Sequence, residues 1–141
     1  RTQAAKILVA SRAKSATIEQ ALVALVAQEK DADVLANVVS FIDSYRSDKI
    51  AQALLIHLKG HPDKMVRAYS AAALGTYRYG AAKAALIGAL KDPESWVRLM
   101  SVGALKKLKA REALPHIRPL LNDDNPRVRE RAAETVRALG E

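Results

Sequence analysis

The chain has 141 residues, half of hydrophobic type and only 4% aromatic, which excludes a disordered segment and disfavours a β-sandwich. It contains no cysteine, so a disulfide scaffold, a thiolate metal site and thiol catalysis are excluded. The net charge of +8 is uneven, with eight Lys/Arg against six Asp/Glu in residues 1–60 and fifteen against nine in residues 61–141, so the second part attracts acidic proteins, phosphates or anionic lipids.

In chain order, residues 1–30 read as a helix pair whose second helix carries Leu22 and Val26; Ala10 and Ala13 fill the first helix poorly. Within them, "ALVALVA" (Ala21–Ala27) is the longest apolar run, far short of the roughly 18–20 residues a membrane span needs. Residues 31–60 form the next pair, with Val34, Ile42 and Tyr45 on the first helix and Leu54 and Leu58 on the second. Residues 61–91 open with "HPDKMVRAYSAAALGTY" and continue through "RYGAAKAALIGALK", where Gly80 marks a turn. Residues 92–122 open with "DPESWVRLMSVGALKKL" and continue through "KAREALPHIRPLLN". Pro115 and Pro119 predict a late start or a bend in that last helix. Residues 123–141, opening with "DDNPRVRERAAETVRAL", supply a lone terminal helix.

The five stretches are copies of one pattern. Val66, Val97 and Val128 stand 31 residues apart, as do Arg67, Arg98 and Arg129. Eight positions after each Val come Leu74, Leu105 and Val136, and eleven after come Tyr77, Leu108 and Leu139, which trace one helix face. Small residues recur at two further positions, as Ser70, Ser101 and Ala132 and as Ala73, Ala104 and Thr135, and would let a second helix pack closely. Asp92 is expected as an N-cap with Pro93 at the first helical position. Leu86 aligns with Ile117 and Leu90 with Leu121. A step of 32 brings Val34, Ile42, Tyr45, Leu54 and Leu58 into the same register. A single pair of this size cannot bury its own apolar stripe, so stacking is required.

The stretches "HPDKMVRAYSAAALGTY" and "DPESWVRLMSVGALKKL" resemble HEAT-like repeats, in particular the short repeats of about 31 residues seen in phycobilin-lyase-type proteins. The resemblance implies an all-α, right-handed α-α superhelix of about four helix pairs plus a terminal helix, forming one domain over residues 1–141. It also implies a binding scaffold whose second helices line the concave side. Val34 departs from the pattern, being followed by Leu35 and not by Arg, and the first two units lack the Asp-Pro start.

The residues offer little chemistry. Arg67, Arg98 and Arg129 are expected to form a structural ladder, each reaching a neighbouring carboxylate such as Asp63 or Asp92; an anion-binding row is the rival. His57 and His61 have metal-ligand spacing, but Gly60 and Pro62 interrupt the helix, and His61 reads as an N-cap substitute. His116 lacks a patterned nucleophile or acid partner. No phosphate-binding glycine motif occurs. Neither a catalytic group, a cofactor nor a metal site is therefore expected. Trp96 is expected to cover the seam between units. The cluster "KKLKAR", Lys106 to Arg111, is explained by cations at a helix C-terminus.

The expectation is thus a non-catalytic protein–protein interaction scaffold. Its contact surface would comprise Gln52, Leu55, Lys59, Lys83, Ile87, Lys91 and Arg118, a basic face with apolar spots that suits an acidic partner. Duplex DNA binding through the basic second part is the alternative, and an accessory subunit of a lyase or other multi-subunit enzyme a further one. The Arg1 start suggests a domain of a longer chain, and a cytoplasmic location is expected. The terminal helix is expected to expose an apolar face unless further chain covers it.

Overall fold

The computed structural model describes residue 3, residues 16–42 and residues 47–140, and these are helical with no strand among them. The expected first helix of the earliest unit and the reading of Tyr45 lie outside the described residues, as does the side chain of Ile42. Eight α-helices follow in order: α1 (Ala16–Gln28), α2 (Ala32–Ile42), α3 (Asp48–Gly60), α4 (Lys64–Thr76), α5 (Lys83–Ala89), α6 (Ser95–Lys107), α7 (Leu114–Ile117) and α8 (Pro126–Gly140). Helices α2, α4, α6 and α8 pack in succession as one layer, while α1, α3 and α5 pack in succession on the other side. The result is a helical solenoid.

Val66, Val97 and Val128 are each fully buried, at equivalent places in α4, α6 and α8. Leu74 and Leu105 join them, with Leu54 and Leu86 of the second layer. Unit 2 deviates: Val34 is half-buried, whereas its neighbour Leu35 is fully buried. The small residues bring the first helices of neighbouring units together, a contact the sequence assigned to a second helix. A Cβ built on Gly75 would lie 2.6 Å from Ala104 Cα, so α4 and α6 meet at backbone distance.

Helix starts differ from expectation. Pro93 lies in the turn before α6, whose N-cap is Glu94; Asp92 accepts the Glu94 N–H at 2.9 Å and so shapes the turn. Proline occupies the first helical position only in α8, at Pro126, where Asn125 accepts the Arg127 N–H. The last second helix breaks as Pro115 and Pro119 require. It becomes a 3-10 turn (Arg111–Ala113), the short α7, and a second 3-10 stretch (Arg118–Asn122). The tighter winding rotates the apolar face by about one residue. Leu120 packs against the core, and Leu121, the residue aligned with the buried Leu90, is 38% exposed.

The final helix is also a correction. On α8, Glu130 and Arg137 are exposed and Glu134 is half-buried, at the places where α6 carries Leu99, Lys106 and Gly103. Its outward face is therefore charged and not apolar.

The Gly75 contact yields a prediction. Gly75→Ala should destabilise the chain by about 1–3 kcal/mol, because a rigid backbone must shift. Gly103→Ala should cost less than Gly75→Ala, because its new Cβ meets only the mobile end of Arg131, at 2.7 Å. Urea unfolding of the two variants measures the difference.

Candidate functional site

Two surfaces arise from the stacking: the edge of turns that precede the first helices, and the outer face of the second helices. At the turn edge, each Val-Arg arginine folds back over its own turn. Arg67 donates from Nη1 to the carbonyls of His61 and Pro62, at 2.8 and 3.1 Å. Arg98 does the same to Asp92 and Pro93, and Arg129 to Asp123 and Asp124. This fixes the guanidinium so that Nε and Nη2 face the following unit. Arg67 thereby binds Asp92 through two parallel bonds, at 2.9 and 3.2 Å. Arg98 binds Asp123 at 2.8 Å through both nitrogens, and Asp124 at 2.8 Å. Asp63, one of the expected partners, instead caps α4 by accepting the Met65 N–H.

Arg129 is held in the same pose, but it is exposed and meets no carboxylate among the described residues. At the junction of units 2 and 3 both members of the pair are replaced. Leu35 stands in the arginine's place and His61 in the aspartate's. Nδ1 of His61 accepts the Asp63 N–H at 3.0 Å, as the aspartates accept theirs. His57 is buried and bonds the Val26 carbonyl through Nε2 at 2.6 Å, tying α3 to α1. Its ring meets that of His61 edge-on at 5.1 Å. One nitrogen of each histidine is thus committed, and no group of three or more metal-ligating side chains gathers among the described residues.

Electrostatics follow the pairing. Burial alone would raise the Asp123 carboxyl, but the Arg98 fork and the Asn125 N–H hold it below its ordinary value, while Asp123 raises Arg98 in turn. The His61 ring is held below its ordinary value by burial and then by His57, with the Asp63 carboxylate acting the other way.

On the second-helix face, α3 brings Gln52, Leu55 and Lys59 onto one stripe. Gln52 and Lys59 are exposed, while Leu55 is half-buried against the core. Ile87 on α5 is likewise half-buried; Lys91 follows α5 in an exposed turn, and Arg118 is exposed in the last 3-10 stretch. Lys83 is engaged: its Nζ pairs with Glu112 of the next unit at 3.0 Å. Sequence reading missed Ile56, which is 71% exposed between Gln52 and Lys59. Its signal was an isoleucine beside Leu55 at the helical spacing that already selected both neighbours. Trp96 of α6 is 40% exposed, and Arg127 of α8 lies 6.0 Å from its ring centre, across the unit boundary.

Residues 51–137 match the family of HEAT repeats. The chain belongs to the HEAT-repeat family. Among solved structures, this HEAT-repeat chain is similar to one in "the complex of CpcE and CpcF of phycocyanin lyase from Nostoc sp. PCC7120", at 25% identity and a TM-score of 0.76. The match covers 99% of this chain and 59% of that one, so the present chain spans less than two thirds of its neighbour's length. No match was found among curated proteins. The expected absence of catalysis draws no support from a neighbour that belongs to a lyase, and neither comparison points to DNA. No helix among the described residues is long and apolar enough to cross a membrane.

Two predictions follow from the turn edge. Arg98→Ala should cost about 3 kcal/mol, because it strands the nearly buried Asp123 carboxylate. Arg129→Ala should cost less than about 1 kcal/mol, because its fork is solvated; urea unfolding of both variants separates the cases. Lowering the pH should weaken the junction at His61. The unfolded ring takes up a proton near its ordinary 6.5, before the folded ring does. This stability is full above that pH, falls between it and the depressed folded value, and then levels off. Urea titrations at neutral and mildly acidic pH should show the slope, and His61→Asn should remove it.

Proposed function

We propose that the chain is a protein-interaction module that serves an accessory, non-catalytic role in a larger assembly, holding a partner on its second-helix face. The observation that carries this reading is Ile56, a large apolar side chain left in solvent beside Gln52 and Lys59. An apolar anchor ringed by polar and basic groups is the composition of an interaction surface. Lys59, Lys91 and Arg118 give the face a positive sign that suits an acidic partner. Lys83 contributes less, since Glu112 already holds it. The similarity to a chain from a two-protein lyase complex supports an accessory place beside an enzyme. The buried histidine supports the non-catalytic reading, because its Nε2 serves a main-chain carbonyl. The units near 1–30, 31–60, 61–91, 92–122 and 123–141 would then act as one HEAT-like domain.

The test is affinity capture from a cell extract by the immobilised chain and by an Ile56→Asp/Lys59→Glu variant whose helicity is verified. A polypeptide held by the first and reduced about tenfold or more by the second is expected, since an apolar anchor and its flanking charge are worth at least about 1.4 kcal/mol together. Equal retention by the folded variant would overturn the second-helix assignment.

A further inference from the structure

The first-helix side carries a second feature, which the second-helix reading leaves unused. Arg78 and Lys109 lie one residue beyond the C-caps of α4 and α6, and both have φ of 51°. Each closes its helix with a bond that runs back five residues: the Tyr79 N–H to the Leu74 carbonyl at 3.2 Å, and the Ala110 N–H to the Leu105 carbonyl at 3.0 Å. Glycine is the usual occupant of this position, because a Cβ in left-handed backbone crowds the next carbonyl. Here a long cation stands in both places. The helix dipole favours a cation at Arg78, since the last turn of α4 holds none, but it adds less at Lys109, since Lys106 and Lys107 already lie in the last turn of α6.

These two cations line a cleft of about 550 Å³ that runs between α4, α6 and α8. Its rim adds Lys106, Lys107 and Arg131. Its floor is Ala72, Met100, Gly103 and Ala104. One carboxylate serves the five cations: Glu134 lies 3.9 Å from Lys106 and 3.8 Å from Arg131. Arg78, Lys107 and Lys109 are exposed and pair with no acid among the described residues; Lys107 meets only the Thr76 hydroxyl, at 3.3 Å.

The geometry points to this cleft as the docking site for an acidic, amphipathic segment of a partner protein. Carboxylates of that segment pair with Arg78, Lys107 and Lys109, and an apolar side chain between them rests on Met100 and Ala72. The floor decides between acidic ligands. A phosphodiester backbone offers nothing to Ala72 and Met100, the half-buried apolar side chains of the floor, whereas a peptide with an apolar residue between acids fills both rim and floor. Cationic side chains kept in strained backbone at two successive unit ends agree with selection for charge at this place.

Fluorescence anisotropy on the full chain tests the proposal, with labelled peptides built on Glu-Glu-Leu, Glu-Glu-Gly and Lys-Lys-Leu repeats and a short DNA duplex. The Glu-Glu-Leu peptide is expected to bind most tightly, and less so as salt rises. An Arg78→Gly/Lys109→Gly variant should lose about tenfold in that affinity, as expected for two charge-assisted contacts. Its unfolding temperature should not fall, because glycine relieves the left-handed backbone. Lys107→Gln should weaken binding independently. The proposal is overturned by no saturable Glu-Glu-Leu binding at low salt, by equal affinity of the folded variants, or by equal binding of the Glu-Glu-Gly peptide. Tighter binding of the duplex, lost in the same variants, would overturn it in favour of a phosphate backbone.

Discussion

A pair of helices about 31 residues long has more apolar surface than it can cover by folding on itself. The apolar core of the described residues therefore depends on contacts between neighbouring units. Two devices set how closely units approach. Gly75 lets α4 reach the backbone of α6, so the separation of those helices is governed by main chain and not by side-chain bulk. Arg67 and Arg98 of the Val-Arg pairs then fix the angle at the turn edge, because a planar fork meets a carboxylate in a narrow range of orientations. Packing supplies the stabilisation and the fork supplies the geometry.

The fork also shows how one sequence keeps its parts consistent. Where Arg67 and Arg98 are present, Asp92 and Asp123 stand opposite them. Where the arginine gives way to the buried Leu35, the aspartate gives way to His61. Asp123, lacking its fork, would be an unpaired carboxylate almost out of water, and an arginine at position 35 would face an imidazole. Joint replacement avoids both, and His61 keeps the part of the aspartate's work that belongs to its own turn. Arg129 is different because its bonds to its own turn are intact while it meets no carboxylate among the described residues.

The stacking architecture was legible because its signal is redundant. Val66, Val97 and Val128 repeat with Arg67, Arg98 and Arg129 beside them, so several positions must fail together before the register is lost. What could not be read depends on one or two dihedral angles. Asp92-Pro93 puts the helix start two residues before the actual Glu94 cap, because Asp-Pro suits both a cap and the turn before a cap. Leu121 was placed in the core because an α-helical count was carried across a 3-10 stretch that Pro119 helps to impose. Ile56 was missed because neighbouring leucine and isoleucine look alike until the helix is oriented. Arg78 and Lys109 gave no warning at all, since left-handed backbone is read from glycine and these are not glycines.

The two candidate surfaces differ in how they come to exist. The second-helix face is made of side chains that stacking leaves over, and Ile56 stands out there as the most exposed large apolar side chain among the described residues. The cleft at Arg78 and Lys109 is made by stacking itself: none of the three units forms it alone, and its walls come from their successive first helices. Any change in the angle between units would alter the spacing of Lys107 from Arg131 while leaving the stripe on α3 intact. Since the Arg98–Asp123 fork sets that angle at the same boundary, the cleft is mechanically tied to the turn edge, whereas the face around Ile56 is not. A partner held in the cleft would thus sense the curvature of the array, and one held on α3 would sense only a single helix.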